Sequence, residues 1–233
     1  MGLQEELEHA RKSILCTGWL AELPVSFTER FLALTSLRQL KNGEFAHHLG
    51  DGPGSFYGIV SGALLVLVPM VPQGLQHGHL SLPGHWFGVA AALTETNRQV
   101  ALEAAMDTTL LTVPGQAMTA LLADTPAFTR HILGLVLANQ LIAVRTAADL
   151  LIQAPRQRLV ARLLTLSGLK LGEQASHSSC DLPLTQDQLA AMCCLSRNSI
   201  SRILAELERH GLVRRKYGML HLPDRSALEA FLS

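Results

Sequence analysis

The clearest alternation of apolar and polar positions lies near the C-terminus, between residues 185 and 222. Four apolar residues there recur at i, i+3, i+4 and i+7, the spacing of one helix face: Ile200, Ile203, Leu204 and Leu207. Ser196 comes before them, and its hydroxyl can accept a hydrogen bond from an unpaired N–H of the first turn. The pattern therefore predicts a helix that begins after Ser196.

The opposite side of this predicted helix is polar and cationic. At about 100° per residue, the positions on that side are Arg197, Asn198, Ser201, Arg202, Ala205 and Arg209. A helix built this way can pack on a core and lie in a DNA major groove, where arginine pairs with guanine and asparagine with adenine. The simpler interpretation is an amphipathic helix whose arginines are only solvated.

The neighbouring segments favour DNA binding. A shorter helix is predicted over 185–193, and the break before Ser196 is as short as in a helix-turn-helix. After Gly211, which ends the second helix, two short strands are predicted with a turn at Tyr217-Gly218. Two helices followed by a hairpin predict a winged helix.

Further upstream, between residues 37 and 113, the pattern changes to short apolar runs separated by glycine and proline. This spacing is typical of an antiparallel barrel or sandwich. The predicted strands are 37–41, 44–49, 56–61, 63–68, 75–80, 85–87, 99–104 and 108–114. Asn42-Gly43, between the first two, is a strong hairpin signal.

The remaining segments read as helices. They are predicted over 3–15, 26–34, 116–124, 125–153, 156–174 and 224–232, with a short strand at 180–182. Thr125 is the expected N-cap of the long helix, with Pro126 in its first turn. Pro155 marks the boundary that follows, and Asp224 is the expected cap of the last helix.

The C-terminal segment resembles the DNA-binding domain of the Crp/Fnr family of bacterial transcription regulators. The matching motif positions are Thr185, Leu189, Ala190, Ser196, Arg197, Ser199, Ile200 and Arg202. The resemblance implies an α+β chain with an N-terminal double-stranded β-helix (jelly roll), a long dimerisation helix and a C-terminal winged helix-turn-helix. We expect the domain boundaries at 1–124, 125–153 and 154–233.

As a member of that family the chain would be a homodimer that binds a palindromic operator in double-stranded DNA and contacts RNA polymerase. Arg197, Asn198 and Arg202 would read bases. The other expected DNA contacts are Thr185, Gln186, Ser196, Ser199, Ser201, Arg215 and Lys216. Two positions depart from the family pattern.

Cys194 replaces the usual glycine of the turn, which predicts a strained turn, because glycine tolerates positive φ and cysteine does not. Asn198 replaces the usual glutamate, which predicts a different operator sequence, because an amide pairs with adenine and a carboxylate with cytosine.

The long helix is apolar on more than one face, so two of its sides must be covered. We expect one side to lie on the barrel and the other to pack on its twin. The predicted seam consists of Leu133, Leu137, Gln140, Val144, Ala147 and Leu151. The alternative is a fully buried helix of a monomer.

The effector pocket matches the family less well. Family members that bind cyclic nucleotide have glycine–glutamate, a short helix and then arginine followed by serine or threonine. Here Gly88 is followed by Val89, and Arg98 is followed by Gln99. Valine cannot accept a ribose hydroxyl, so we expect that the small-molecule effector is not cAMP. Arg98 could equally be a solvated arginine at the end of a loop.

Two other kinds of sensor and one enzyme stay open. Some family members sense gases with haem, and His77, His79 or His85 could ligate a haem iron. A thiol-dependent redox sensor could use Cys193-Cys194, whereas an iron–sulfur sensor lacks its N-terminal cysteine cluster. A cupin-type metal enzyme could use His77 and His79, but no suitable later glutamate and histidine follow.

Charge and composition fit a regulator. The chain of 233 residues has no formal net charge, but residues 152–233 contain 11 Lys and Arg against 7 Asp and Glu. A basic C-terminal part attached to an acidic remainder suits DNA binding. The polar N-terminus resembles no secretory signal, and no run of 18 apolar residues occurs, so we expect a cytoplasmic protein with no membrane partner.

Overall fold

The computed structural model describes residues 2–169, 175 and 177–232. These residues form two compact units. The first contains Met1–Val66 and Ser81–Asn139, and the second contains Leu67–Leu80 and Gln140–Ser233. The chain passes from the first unit to the second within one long helix. The domain boundaries at 1–124, 125–153 and 154–233 stay predictions.

The helices of the first unit surround its strands. They are α1 (Leu3–Ile14), α2 (Val25–Ala33), α3 (Val89–Thr94), α4 (Gly115–Asp124) and the beginning of α5 (Thr129–Leu151), with 3₁₀ turns at Trp19–Glu22 and Pro126–Phe128. Four of them were predicted from the apolar pattern to within a few residues, whereas α3 corresponds to the short helix that the family resemblance implies after Gly88.

Thr125 stands at the predicted N-cap position with Pro126 after it, but its side chain makes no capping hydrogen bond. A 3₁₀ turn follows this residue, and α5 begins only at Thr129. The Thr125 hydroxyl accepts a hydrogen bond of 2.6 Å from Nη1 of Arg30 and lies 3.2 Å from the Asp124 carboxylate. Because these side chains engage the hydroxyl, Thr125 contributes to a surface ion-pair network and does not cap the helix.

Eight strands follow the predicted order closely. They are β1 (Ser36–Leu40), β2 (Phe45–His47), β3 (Ser55–Ser61), β4 (Leu64–Met70), β5 (Gly74–Ser81), β6 (Trp86–Phe87), β7 (Ala101–Ala104) and β8 (Thr108–Pro114). They form two four-stranded sheets, one in the order β1-β8-β3-β6 and the other in the order β2-β7-β4-β5. The expected jelly-roll architecture is confirmed.

The predicted hairpin at Asn42-Gly43 is wrong. The chain does turn there, since the N–H of Glu44 donates to the carbonyl of Lys41 at 2.9 Å. However, β1 pairs with β8 and β2 pairs with β7, so the turn connects the two sheets. An Asn-Gly turn specifies a local bend, but the packing of the strands in the two sheets decides which partner each one takes.

An aromatic cluster joins the helices of the first unit to one sheet. Trp86 is fully buried, and the rings of Trp19 and Phe31 lie 6.3 Å and 5.0 Å from it. Gly58, the partner of Trp86 in the sheet, leaves room for the indole, because a Cβ atom at this position would lie 2.4 Å from the ring. The residues between the sheets are a second apolar core.

The second unit contains a small three-stranded sheet and four further helices. After the end of α5 come α6 (Pro155–Leu166), β9 (Cys180–Leu182), α7 (Gln186–Cys193), α8 (Arg197–Arg209), β10 (Arg214–Lys216), β11 (Met219–Leu222) and α9 (Arg225–Ala230). The sheet has the order β10-β11-β9. The expected two helices and wing are therefore present, and the strand at 180–182 is confirmed.

Helix α6 is shorter than the predicted helix over 156–174. It ends at Leu166, where Gly168 adopts a φ of +91° and the N–H of Leu169 donates to the carbonyl of Leu164 at 3.1 Å. Such a 6→1 bond closes a helix at a glycine. The rest of the predicted helix, 170–174, lies outside the described residues.

Candidate DNA-binding surface and effector pocket

Helix α7 is fixed at its start by a reciprocal pair of hydrogen bonds. The N–H of Gln188 donates to the hydroxyl of Thr185 at 3.2 Å, and the N–H of Thr185 donates to Oε1 of Gln188 at 2.8 Å. This capping box satisfies two backbone donors that the helix cannot pair itself. Thr185 is exposed and Gln186 is half-buried, so both predicted phosphate contacts lie at the surface.

The turn after α7 has the strained geometry that the sequence predicts. Cys194 adopts φ 50° and ψ 47°, the left-handed region, and the N–H of Leu195 donates to the carbonyl of Ala190 at 3.0 Å. This is a Schellman-type helix end, which glycine usually forms. The same closure follows α8, where Gly211 has a φ of +72°.

Helix α8 presents the two faces that its sequence pattern predicts. The N–H of Ser199 donates to the hydroxyl of Ser196 at 3.2 Å, which confirms the predicted N-cap. Its four apolar residues are buried. On the other side Arg197, Asn198 and Arg202 are exposed, while Ser199 and Ser201 are half-buried between them.

Arg197 has a neighbour that the sequence pattern did not reveal. Its Nε atom lies 3.3 Å from Oδ1 of Asp187, in the first turn of α7, and both side chains are mostly exposed. An exposed pair of this kind contributes little to stability. The pair does keep the Arg197 guanidinium close to the first turn of α7.

Two exposed cationic side chains of the wing, Arg215 and Lys216, have different surroundings. Glu208 at the end of α8 accepts hydrogen bonds from the backbone N–H and Nε of Arg215, and lies 2.6 Å from its Nη2. These hydrogen bonds lower the pKa of the Glu208 carboxyl. Lys216 is exposed, and Tyr217 at the turn is fully exposed, a position that the sequence identified only as a turn.

Arg98, the basic residue of the expected effector pocket, is buried. It is only 3% exposed, so the alternative of a solvated arginine is wrong. Nη1 donates to the carbonyl of Gly88 at 3.0 Å and Nη2 donates to the carbonyl of Ser55, while the guanidinium lies over the Tyr57 ring. Burial lowers its pKa. Two of the three nitrogens of Arg98 therefore donate to main-chain carbonyls, whereas Nε is buried without a hydrogen-bond partner in the part of the chain that the structure describes.

The other expected pocket residues do not form an acceptor for a sugar. Val89 is 2% exposed and packs in the apolar core next to α1 and α2. Gly88 is half-buried and has a φ of +81°, and Gln99 is exposed and donates to the carbonyl of Asn97 at 2.9 Å. Neither a carboxylate nor an amide oxygen stands at the position after Gly88.

The space between the two sheets is filled by the chain itself. Tyr57, Phe87 and other apolar side chains pack there. His47 stacks on Tyr57 at 5.8 Å, and burial together with Arg98 lowers the pKa of His47 to about 4, so it is neutral at physiological pH. A cavity of about 830 Å³ lies beside α3 and α4, but its described lining contains no basic side chain that would suit a phosphate.

Comparisons with known proteins agree with this geometry. A Crp-like helix-turn-helix domain matches residues 157–231, and a cyclic nucleotide-binding domain matches residues 37–125. The Cyclic AMP receptor protein of Thermus thermophilus is 30% identical over 198 residues, which cover 82% of this chain and 86% of that one. The chain belongs to the Crp/Fnr family.

One further relative and one solved structure also resemble this Crp/Fnr-family regulator. The Transcriptional regulator SdrP of Thermus thermophilus is 33% identical over 147 residues, covering 63% of this chain and 68% of that one. The structure of FixK2 from Bradyrhizobium japonicum has a TM-score of 0.71 at 19% identity, covering 84% of this chain and 96% of that one, and so shares the fold. Regulators of this family bind DNA through the helix-turn-helix and act as dimers.

The α5 helix of the regulator has an uncovered apolar face. Its buried residues in the first unit, Ile132 and Leu135, belong to the aromatic-rich core. All six predicted seam positions are exposed: Leu133, Leu137, Gln140, Val144, Ala147 and Leu151. Leu133, Leu137 and Leu151 are 62%, 54% and 76% exposed, which is unusual for leucine in a folded chain.

The same helix is also long and apolar enough to cross a membrane by length and composition. Among the described residues this holds for one segment, Pro126–Leu151, whose most apolar window has a mean hydropathy of 1.4. The sequence criterion of 18 consecutive apolar residues missed it because isolated polar residues interrupt the segment.

The histidines considered for a haem or metal site are half-buried, and one of them contacts an asparagine side chain. Nε2 of His85 lies 3.0 Å from Oδ1 of Asn139, and burial lowers the pKa of this histidine. His77 and His79 are half-buried in β5 rather than solvent-facing. Within residues 2–169, 175 and 177–232, no group of three His, Cys, Asp or Glu side chains could hold a metal ion.

The two neighbouring cysteines, Cys193 and Cys194, differ in burial. Cys193 is buried, and burial raises the pKa of its thiol to about 12, so the reactive thiolate is scarce. Cys194 is exposed, and both thiols are free. Neither the haem nor the thiol alternative gains support from these side chains.

We expect Cys194→Gly to stabilise the regulator. The left-handed conformation costs a residue with a Cβ about 1 kcal/mol, and glycine avoids that cost. Urea unfolding of the variant should show a free energy of unfolding higher by about 0.5–1 kcal/mol, after the greater chain entropy of glycine is allowed for. Cys16→Gly, also at an exposed cysteine, should show no such gain.

Proposed function

We propose that the protein is a homodimeric transcription regulator that binds a roughly palindromic operator. Each subunit would insert α8 into a major groove, with half-sites about one helical turn, some 34 Å, apart. The observation that carries the proposal is the face of α8: Arg197, Asn198 and Arg202 are exposed above a fully buried apolar face. Such a surface offers donors to base edges while its backbone stays fixed.

The proposed contacts divide into two classes. Arg197, Asn198 and Arg202 read bases, because their forked or amide groups match base edges. The phosphate contacts, which set the register of the protein on DNA, are proposed to be Thr185, Gln186, Ser196, Ser199, Ser201, Arg215 and Lys216. Glu208 holds Arg215 in position for that role, and Tyr217 at the tip of the wing is an added candidate.

The proposed dimer uses the exposed face of α5. A row of leucine and valine side chains at helix spacing suits a two-stranded seam, in which each subunit covers the other. The domain division at 1–124, 125–153 and 154–233 belongs to this proposal. So do the cytoplasmic location and contact with RNA polymerase, which the family assignment suggests.

We further propose that cAMP is not the effector. The relative from Thermus thermophilus is named for cAMP, but here Val89 supplies no acceptor for a ribose hydroxyl. Losing a charge-assisted bond costs about 1.5–3 kcal/mol, or one to two orders of magnitude in affinity. Nη1 and Nη2 of Arg98 already donate to two backbone carbonyls, so a phosphate would have to share this guanidinium with them.

Selection of bound DNA from a random pool tests both parts of the proposal. We expect a palindromic sequence with adenine opposite Asn198 to be enriched, and we expect added cAMP to leave the enrichment unchanged. A parallel selection with cell extract reports whether another effector is needed. Failure to enrich any sequence under all three conditions would contradict operator binding, and enrichment with cAMP alone would contradict the second part.

A further inference from the structure

Arg162 is a fully buried arginine in α6, and each of its nitrogens faces a different part of the second unit. Nε donates to the carbonyl of Met192 at 3.2 Å, Nη1 donates to the hydroxyl of Thr146 at 2.8 Å, and Nη2 donates to the carbonyl of Gly78 at 2.9 Å. One guanidinium thus connects strand β5, the last turns of α5 and the end of α7 to α6.

A charge in this position is costly. The Asp149 carboxylate is also buried, but its Oδ2 lies 3.8 Å from Nη1 of Arg162, too far for a hydrogen bond. Asp149 instead accepts from Thr165 at 2.6 Å and from Arg145 at 3.2 Å. Burial lowers the pKa of Arg162. A leucine would cost less, since buried ion pairs are often no more stabilising than apolar residues.

The partners of Arg162 are unusual because two of them are main-chain carbonyls of separate elements. Met192 lies in the last turn of α7, where carbonyls lack a partner within the helix and favour a cation. One turn earlier on α6, Nη1 of Arg158 lies 3.4 Å from the carbonyls of Cys193 and Cys194. Helix α6 therefore holds the turn from which α8 starts.

We propose that Arg162 is a positioning residue that couples the β4–β5 hairpin, residues 67–80, to the DNA-reading helix. A shift of the hairpin at Gly78 would pull on the same guanidinium that fixes the end of α7, and α8 follows after three residues. A leucine at this position could pack, but it could not transmit a displacement between two backbone segments. The inference concerns regulation of the proposed operator binding and rests on it.

The test compares operator and random DNA binding in variants of the full-length protein. Arg162→Met keeps an unbranched, flexible side chain and removes the donors. We expect its operator affinity to fall about tenfold, the size typical of coupling residues, while its affinity for random DNA stays nearly unchanged. Thr146→Val removes one hydrogen-bond acceptor of Arg162 with little change in side-chain volume. It should lower the ratio of operator to random DNA affinity by less than Arg162→Met does.

Leu164→Ala is the matched control. Leu164 is fully buried in the same helix, so this variant loses stability without losing a link to the hairpin. We expect it to keep the ratio of operator to random DNA affinity. Hydrogen exchange should become faster in residues 74–81 and 190–195 together in Arg162→Met, and in neither segment beyond the global change in Leu164→Ala.

The outcomes separate this inference from the proposed function. If the unaltered protein binds operator no better than random DNA, the proposed function is wrong. If it prefers the operator and Arg162→Met does so equally, or Leu164→Ala loses as much preference, the coupling role is wrong. Should Arg162→Met fail to fold, the ratio measured for Thr146→Val decides, and an unchanged ratio there overturns the inference.

Discussion

Leu137→Glu should convert the protein to a monomer and lower its operator affinity by about a thousandfold. Leu137 is 54% exposed at the middle of the apolar face of α5. In a two-fold seam the substitution occurs twice, so two carboxylates would be buried against apolar side chains. A monomer engages one half-site only and loses the gain that two linked contacts provide.

Sedimentation equilibrium measures the oligomeric state, and gel shifts measure the operator affinity. Val25→Glu is the control, because Val25 is an even more exposed apolar residue, on α2 and outside the seam, and the change should leave the protein dimeric. A dimer that persists in Leu137→Glu would contradict the proposed seam. So would an unaltered protein that stays monomeric in buffer and sediments with phospholipid vesicles, since the apolar helix would then serve a membrane.

The helix-turn-helix could be predicted from the sequence because its signals are local. Thr185 and Ser196 cap the helices within three residues of their own positions, and Asp224 does the same for α9, accepting from the N–H of Ser226 at 2.9 Å. The apolar period of α8 matches its buried face. The left-handed turn at Cys194 was predicted in another way, from the glycine that the resembling family has at this position.

Strand positions were predictable, but strand partners were not. Most strands were bounded by glycine or proline, whereas the pairing of β1 with β8 and of β2 with β7 joins residues far apart in the chain. The Asn42-Gly43 signal describes only the turn. Which sheet a strand enters depends on the combined packing of all eight strands, and one short motif does not contain that information.

The buried arginines were hidden for a related reason. Arginine is usually exposed, so the sequence left Arg98 open as a solvated loop residue and gave no reason to single out Arg162 in its predicted helix. Both donate to carbonyls of residues that are distant in sequence, Ser55 and Gly78. In the sequence, the signal for a buried arginine is a charge at the edge of an apolar stripe. Many solvated arginines occur at the same kind of position, so this signal does not distinguish the two.

The Arg202→Ala variant should lose its preference for the operator while it keeps general affinity for DNA. Arg202 is exposed on α8, so its guanidinium can approach a base edge. A bidentate contact to guanine contributes about 1–3 kcal/mol of discrimination, which corresponds to roughly a tenfold to hundredfold loss per half-site. Because each dimer carries two copies, the loss for the full operator should be larger.

Lys216→Ala is the matched control for Arg202→Ala, since both variants remove one positive charge from the exposed DNA-binding surface. A phosphate contact is indifferent to sequence, so Lys216→Ala should weaken operator and random DNA alike and lower the salt dependence of binding by about one ion. Fluorescence anisotropy with both DNAs at two salt concentrations separates the two patterns. Undiminished selectivity in Arg202→Ala would show that Arg202 reads no base, and the recognition would then have to rest on Arg197 and Asn198.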